Sequence, residues 1–501
     1  MGIFIAVILY EIISIGGVSL FLLYRQKKQQ HAIESGDSFI TSNRDLPTAI
    51  VGVSMALAVL GAVHVFGIME MAWGMGAVSI WFSIAHVVLL CVICLCTGRW
   101  VRRMRVSTVP ELIQNLFGKK LALICTCVIA GQTFAILTME VQALGIVFNA
   151  LTRNAVGITT GAVIGGIIGI FYVIFAGMKE IGWVNLINTI VMYLGLIVGM
   201  IFLSGLLPGG WTAVENHYVS TGQESMINIF GAPGMFLSFG VANIIAVTFA
   251  QGISQMGLQT SMAAKNEKTI IKALWIAAPV NGIFGIFTMA MGIAAKSLVE
   301  TGNLEVANMD VAAKTAGATM IMNYLPSWLI AWLLAAFLGA ILSTFAITTM
   351  GIGALFSKNI YTLKYPNATG AEQTKITRIF IVISGIVAIA VSSFLPEIIN
   401  GANWAFAWLC PIFWNVIYGL FWKRSQKAAG IVFAVSWILV LLWTYTPVPY
   451  MLGLGGIPVP FVTLGVSIVL GVILYATLPG EVGYFKQKKL DAAKELLGGN
   501  K

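Results

Sequence analysis

Ala340, Ser343 and Thr344 form an A-x-x-S-T array inside residues 331–361, a stretch otherwise apolar enough to cross a bilayer. Gly339, Thr348 and Thr349 lie close by. In a helix, positions three and four apart share a face, so the Ala340 carbonyl sits beside the hydroxyls of Ser343 and Thr344. Neutral oxygens gathered inside a membrane suit a small hard cation such as Na⁺. The same residues also serve ordinary helix packing, because small side chains let helices approach and Ser and Thr bond back to the preceding turn. Spacing alone leaves both readings open.

Ionisable groups inside a membrane are costly and point to function. Four stand in apolar segments: His64, Glu70, His86 and Glu140. His64 and Glu70 are six residues apart, so an unbroken helix does not bring them to one face; a break near Gly61 or Gly67 changes that. Glu70 also fits a place near outer water, and His86, with uniformly apolar neighbours, reads as a satisfied polar group in the bundle. Residues 402–421 are rich in rings (Trp404, Phe406, Trp408, Phe413, Trp414, Tyr418), which fits an interfacial belt or the wall of a solute site for an amine. Gln132, Asn243 and Trp404 join His64, Glu70 and Glu140 as candidate solute contacts. Cys91, Cys94, Cys96, Cys125, Cys127 and Cys410 all lie in apolar segments and read as buried apolar side chains rather than a metal or disulfide set. The chain carries no phosphate-binding glycine loop, nucleophile triad or H-E-x-x-H, so a catalytic reading has little support.

The elements that hold these residues follow from composition. Of 501 residues 58% are hydrophobic and 10% charged, which is the signature of an all-α polytopic membrane protein. Thirteen apolar segments are expected: 3–24, 47–74, 77–98, 121–151, 155–176, 182–206, 234–257, 270–296, 327–356, 376–395, 402–421, 428–446 and 456–478. The first has no basic residue before its apolar run, and Arg25, Lys27 and Lys28 follow it, so it reads as a spanning helix with the N-terminus outside. Alternating from there, of 29 lysines and arginines only Arg153, Lys296 and Lys314 fall outside. The expected location is the plasma (inner) membrane, with a cytoplasmic C-terminus. The net charge of +10 is dispersed over short loops, which fits topology and anionic lipid rather than nucleic acid. No soluble domain is expected. The chain divides into an extra N-terminal helix (3–24), two five-helix units (47–206 and 234–421), two further helices (428–478) and a basic tail (484–501). Spans 47–74 (Gly61, Gly67) and 234–257 (Gly240, Asn243, Gln251, Gly252) are the candidates for broken helices, five spans apart.

Several motifs together resemble the sodium:solute symporter family. They are the A-x-x-S-T array followed by Asn359-Ile360-Tyr361, Gly177-Met178-Lys179 with Trp183 to Asn188, Ala263-Ala264-Lys265, and Gly419-Leu420-Phe421-Trp422-Lys423-Arg424. The resemblance implies a leucine-transporter-like five-plus-five inverted repeat. It implies one Na⁺ held by the carbonyls of Leu57, Leu60 and Ala340 and the hydroxyls of Ser343 and Thr344, and it turns His64 toward the solute. It also marks departures: Asn185 stands where the family has Asp, and Ala346 and Ile347 where polar residues are common, so a second sodium site is expected to be lost. Val59 weakens a sugar analogy.

The function expected on these grounds is sodium-driven import of a small organic solute by alternating access, by a monomer or weak oligomer and not by an enzyme. An amino acid or amine-bearing solute is preferred. A sugar or polyol, a monocarboxylate or a vitamin on the same scaffold stays open, as does proton coupling through His64 and Glu140.

Overall fold

The computed structural model describes residues 2–28, 36–175, 177–394 and 404–498. Nearly all of it is helix, because backbone amides and carbonyls in hydrocarbon must be satisfied within the chain. Ten helices are long and apolar enough to span, or eleven when one bent pair is counted as a span. This differs from thirteen because Thr48–Met104, at 57 residues, takes in two expected segments and doubles back at Gly76 (φ 72°).

In chain order the helices that matter below are α1 (Gly2–Lys28), α2 (Thr48–Ala62), α3 (Ile68–Met75), α4 (Ile80–Val92), α5 (Gly98–Met104) and α6 (Lys119–Leu151). They continue with α7 (Ile158–Phe175), α8 (Met178–Leu206), α9 (Ala242–Gln251), α10 (Gln255–Ala263), α11 (Glu267–Glu300), α12 (Ser327–Phe356), α13 (Gly370–Ser392) and α14 (Cys410–Phe421). The helix carrying the A-x-x-S-T array, α12, is the centre of the molecule. Every residue from Leu333 to Leu355 is buried, as befits a helix apolar on all sides. Around it pack α1, α2, α6, α7, α8 and α13.

Both expected breaks are present. The first span breaks at Gly61 (φ 28°, ψ −152°), a backbone conformation that glycine adopts without a Cβ clash. A π-helical stretch, Val63–Gly67, then leads into α3. The second broken span runs from Phe236 through α9 to Gln251, then bends by 56° into α10. It continues to Ala263 rather than stopping at 257, because Ser254 caps α10 by accepting the Gly257 amide and restarts the helix.

One end of the bundle is tied shut. The Leu46 amide donates to the Ala263 carbonyl (3.1 Å), and the Lys265 amide donates to the Leu46 carbonyl (3.2 Å). Arg102, at the end of α5, donates to the carbonyls of Ala264 and Lys265, each at 2.7 Å. Glu267 accepts from Arg99 (3.3 Å) and Arg103 (2.8 Å). This is the end that the charge pattern assigns to the cytoplasm.

Candidate functional site

The array meets the first broken span as its spacing suggests. Thr344 Oγ1 donates to the Leu57 carbonyl at 2.6 Å, and the Ala340 carbonyl lies 3.4 Å from the same hydroxyl. Leu57, Ala340 and Thr344 are therefore together. The Leu60 carbonyl caps the end of α2 by accepting the Val63 amide, which leaves its second lone pair. The Ser343 hydroxyl points elsewhere and donates to Asn185 Oδ1 at 2.5 Å; Asn185 Nδ2 in turn donates to Ser54 Oγ at 3.1 Å. Asn185 thus links α8, α12 and α2. Ala346 and Ile347 are fully buried and bring no oxygen side chain.

Beside this junction a cavity of about 20 Å³ is lined by Leu60, Gly61, His86, Glu140, Gln251 and Thr344. It has room for one water-sized occupant and none for an organic solute. Glu140 reaches it from α6, and its Oε2 accepts the Ala62 amide at 2.9 Å. Ala62 follows the break, so a side chain from another helix supplies the N-terminal cap that the broken span lacks.

A second cluster adjoins. His86 Nδ1 lies 2.9 Å from the Phe82 carbonyl and Nε2 lies 3.0 Å from Gln251 Nε2. A carbonyl only accepts, so this network assigns the proton to Nδ1 and makes Nε2 the acceptor from Gln251. That leaves the buried Gln251 Oε1 with no partner among the described residues. His64 stacks edge-on to His86 with ring centroids 4.5 Å apart, and Asn281 of α11 stands beside it. Both ring nitrogens of His64 and both amide atoms of Asn281 are buried without a hydrogen bond of good geometry among the described residues. Buried polar groups left unmatched cost free energy, so a set of them in one place marks where a polar ligand or water belongs.

The other candidates are dispersed. Gln132 on α6 is buried, and its Nε2 has no partner among the described residues. Asn243 donates to its own helix at the Phe239 carbonyl (2.8 Å), so its amide is spent locally. Glu70 is buried on α3. Trp404 packs edge-on to Trp408 (5.8 Å), and its indole N–H has no partner among the described residues. Among the cysteines, Cys127 is exposed and Cys91 and Cys96 are half-buried, a correction to the reading of all six as buried; apolar helices also present small residues outward. His86 is indeed satisfied, but it belongs to the cluster. Its partner Gln251 is 165 positions away, which no local pattern reveals. Asn281 and Glu11 went unnoticed in the sequence. Glu11, a lone acid in the apolar run of α1, was the available signal; it is 3% exposed, with both carboxylate oxygens unpartnered among the described residues.

Comparison with known structures defines the class. The chain superposes on a Na⁺-coupled sialic acid symporter, solved in a substrate-bound outward-open state, with TM-score 0.77 at 16% identity, covering 96% of this chain and 98% of that one. It superposes on MhsT, solved with L-phenylalanine, with TM-score 0.53 at 14% identity, covering 85% and 98%. The fold is that of leucine-transporter-like membrane transporters. Within that class the chain belongs to the sodium:solute symporter family, whose family model matches residues 39–435. The uncharacterised symporter YwcA of Bacillus subtilis (strain 168) is 23% identical over 441 residues, 84% of this chain and 82% of that protein. The human sodium/iodide cotransporter is 24% identical over 252 residues, 48% of this chain and 38% of its own. The protein is a secondary transporter and not an enzyme.

Proposed function

We propose that this protein is a sodium-coupled symporter that imports a small organic solute by alternating access. The observation that carries the reading is the Thr344 hydroxyl, 2.6 Å from the Leu57 carbonyl at the broken first span and within reach of the Ala340 carbonyl. Three oxygens from two helices converge there, with no Lys or Arg bonded to them among the described residues, the chemistry a hard monovalent cation requires. Leu60 and Ser343 complete the set: the Ser343 hydroxyl turns from Asn185 toward the ion when one binds. The names of the relatives support sodium as the driving ion.

The solute sits against Gln251, His64 and Asn281. Gln251 Oε1 is an unmatched acceptor, so an N–H donor on the solute meets it, and this favours an amine-bearing solute such as an amino acid. Sodium entering down its gradient stabilises the solute-binding form, and by linkage the solute raises sodium affinity equally. One charge moving through 100 mV supplies about 2.3 kcal/mol, to which the concentration gradient adds. The N-terminus outside, the C-terminus in the cytoplasm and a plasma-membrane location complete the reading.

The test is a solute library screened by thermal shift on purified protein in Na⁺ and in K⁺, followed by uptake into proteoliposomes. A solute that stabilises only in Na⁺ and accumulates only on an inward Na⁺ gradient is the expected result. Accumulation on a pH gradient with no sodium present would replace this reading with proton coupling.

A further inference from the structure

The sodium-coupled reading leaves one buried carboxyl group, Glu140, without an assigned role. Glu140 is 1% exposed, and its one hydrogen bond among the described residues comes from the Ala62 amide. A helix start offers about half a positive charge, so the cap matches only part of the carboxylate. Buried carboxylates are found paired or bound to metal ions, and among the described residues no basic side chain bonds to Glu140.

A second observation locates the missing partner. A methyl group placed on Gly61 would collide with Glu140 Oε1 and would lie 2.8 Å from Glu140 Oε2 and 2.8 Å from Thr344 Oγ1. Two helices, α6 and α12, thus aim three oxygens at the space that a glycine leaves open. Thr344 gives its hydroxyl proton to Leu57, so its lone pairs remain to accept or to coordinate. Leu60, Gly61, Glu140 and Thr344 line the same cavity of about 20 Å³. The space is sized for an ion, not for a solute's ammonium group with carbon attached.

We propose that the Glu140 carboxylate is a ligand of the transported sodium ion, alongside the Thr344 hydroxyl and the Leu57 and Ala340 carbonyls. The inference rests on the sodium-coupled reading above and deepens it. The site then carries a fixed negative charge that sodium neutralises. The empty carrier, rather than the loaded one, bears the charge that the membrane potential acts on. The solute is left to Gln251, His64 and Asn281, and Glu140 is not its partner.

The experiment measures radiolabelled sodium binding to purified wild type, Glu140→Gln and Glu140→Asp with no solute present. Melting in K⁺ serves as the fold control. Glu140→Gln is expected to weaken sodium by about tenfold or more, the size that follows loss of a charged partner. Glu140→Asp keeps the charge and is expected to fall between. If Glu140→Gln does not fold, Glu140→Asp decides, since moving the carboxylate back by one methylene must still weaken sodium. Wild-type sodium affinity in the variants, with a defect confined to solute binding at saturating sodium, would overturn the proposal and leave sodium coupling standing. A wild type that binds no sodium would remove both.

Discussion

Replacing Thr344 by valine keeps the β-branched shape and removes one oxygen, so the effect can be assigned to the hydroxyl. That hydroxyl is the side-chain oxygen of the array that faces the first span, 2.6 Å from the Leu57 carbonyl. A bond to a charged group is worth about 1.5–3 kcal/mol, so loss of one ligand weakens sodium roughly 10- to 150-fold. Ser343→Ala is the comparison. Its hydroxyl bonds to Asn185 at 2.5 Å and must give up that bond before it can serve the ion. Its net contribution is therefore that of a neutral exchange, about 0.5–1.5 kcal/mol, or roughly tenfold at most. Sodium titrations of the thermal shift, and the sodium dependence of uptake in proteoliposomes, measure both. Thr344→Val is expected to raise the half-saturating sodium concentration well above that of Ser343→Ala, with Thr344→Ser near wild type. Equal effects, or a larger one at Ser343, would refute the assignment of the two hydroxyls.

Two further perturbations follow from the same geometry. Gly61→Ala places a methyl among the Glu140 oxygens and Thr344 Oγ1 on a backbone with φ 28°. Strain of about 1–3 kcal/mol, added to the displaced Glu140–Ala62 bond, should lower the melting temperature and abolish uptake, and a variant that melts and transports like wild type would count against the close approach. Arg102→Ala removes the donors to the Ala264 and Lys265 carbonyls, so a cysteine placed near the closed end should label faster in the variant, with sodium binding retained. Unchanged labelling would mean that Arg102 does not hold that end.

Much of this architecture was legible in the chain. The A-x-x-S-T spacing put the Ala340 carbonyl and the Thr344 hydroxyl on one face, and Gly61 and Gly252 flagged both broken spans. These signals are local, since helix periodicity and a residue that tolerates unusual backbone are properties of short windows. What escaped is what depends on partners far away in the chain. Glu140 was visible as a buried acid, but its bond is to a main-chain amide, and a main-chain amide has no letter in the sequence. His86 looked inert among apolar neighbours because Gln251 comes from the other broken span. Ser343 and Thr344 looked interchangeable until Asn185 on α8 drew one of them aside. The expected segments 47–74 and 77–98 run together as one helical stretch because the hairpin at Gly76 turns without a polar loop.

The pairing of Leu46 with Ala263 and Lys265 has a consequence for how the closed end can be studied. Two of its bars are peptide groups, one donating and one accepting at Leu46. Alanine scanning leaves both peptide groups in place and so does not test such a closure. Proline is the informative replacement, because it deletes the donor itself. The amide hydrogens of Leu46 and Lys265 are also natural reporters of the conformational cycle. They are protected from deuterium while this end is shut and exchange each time it opens, with no label attached to the protein.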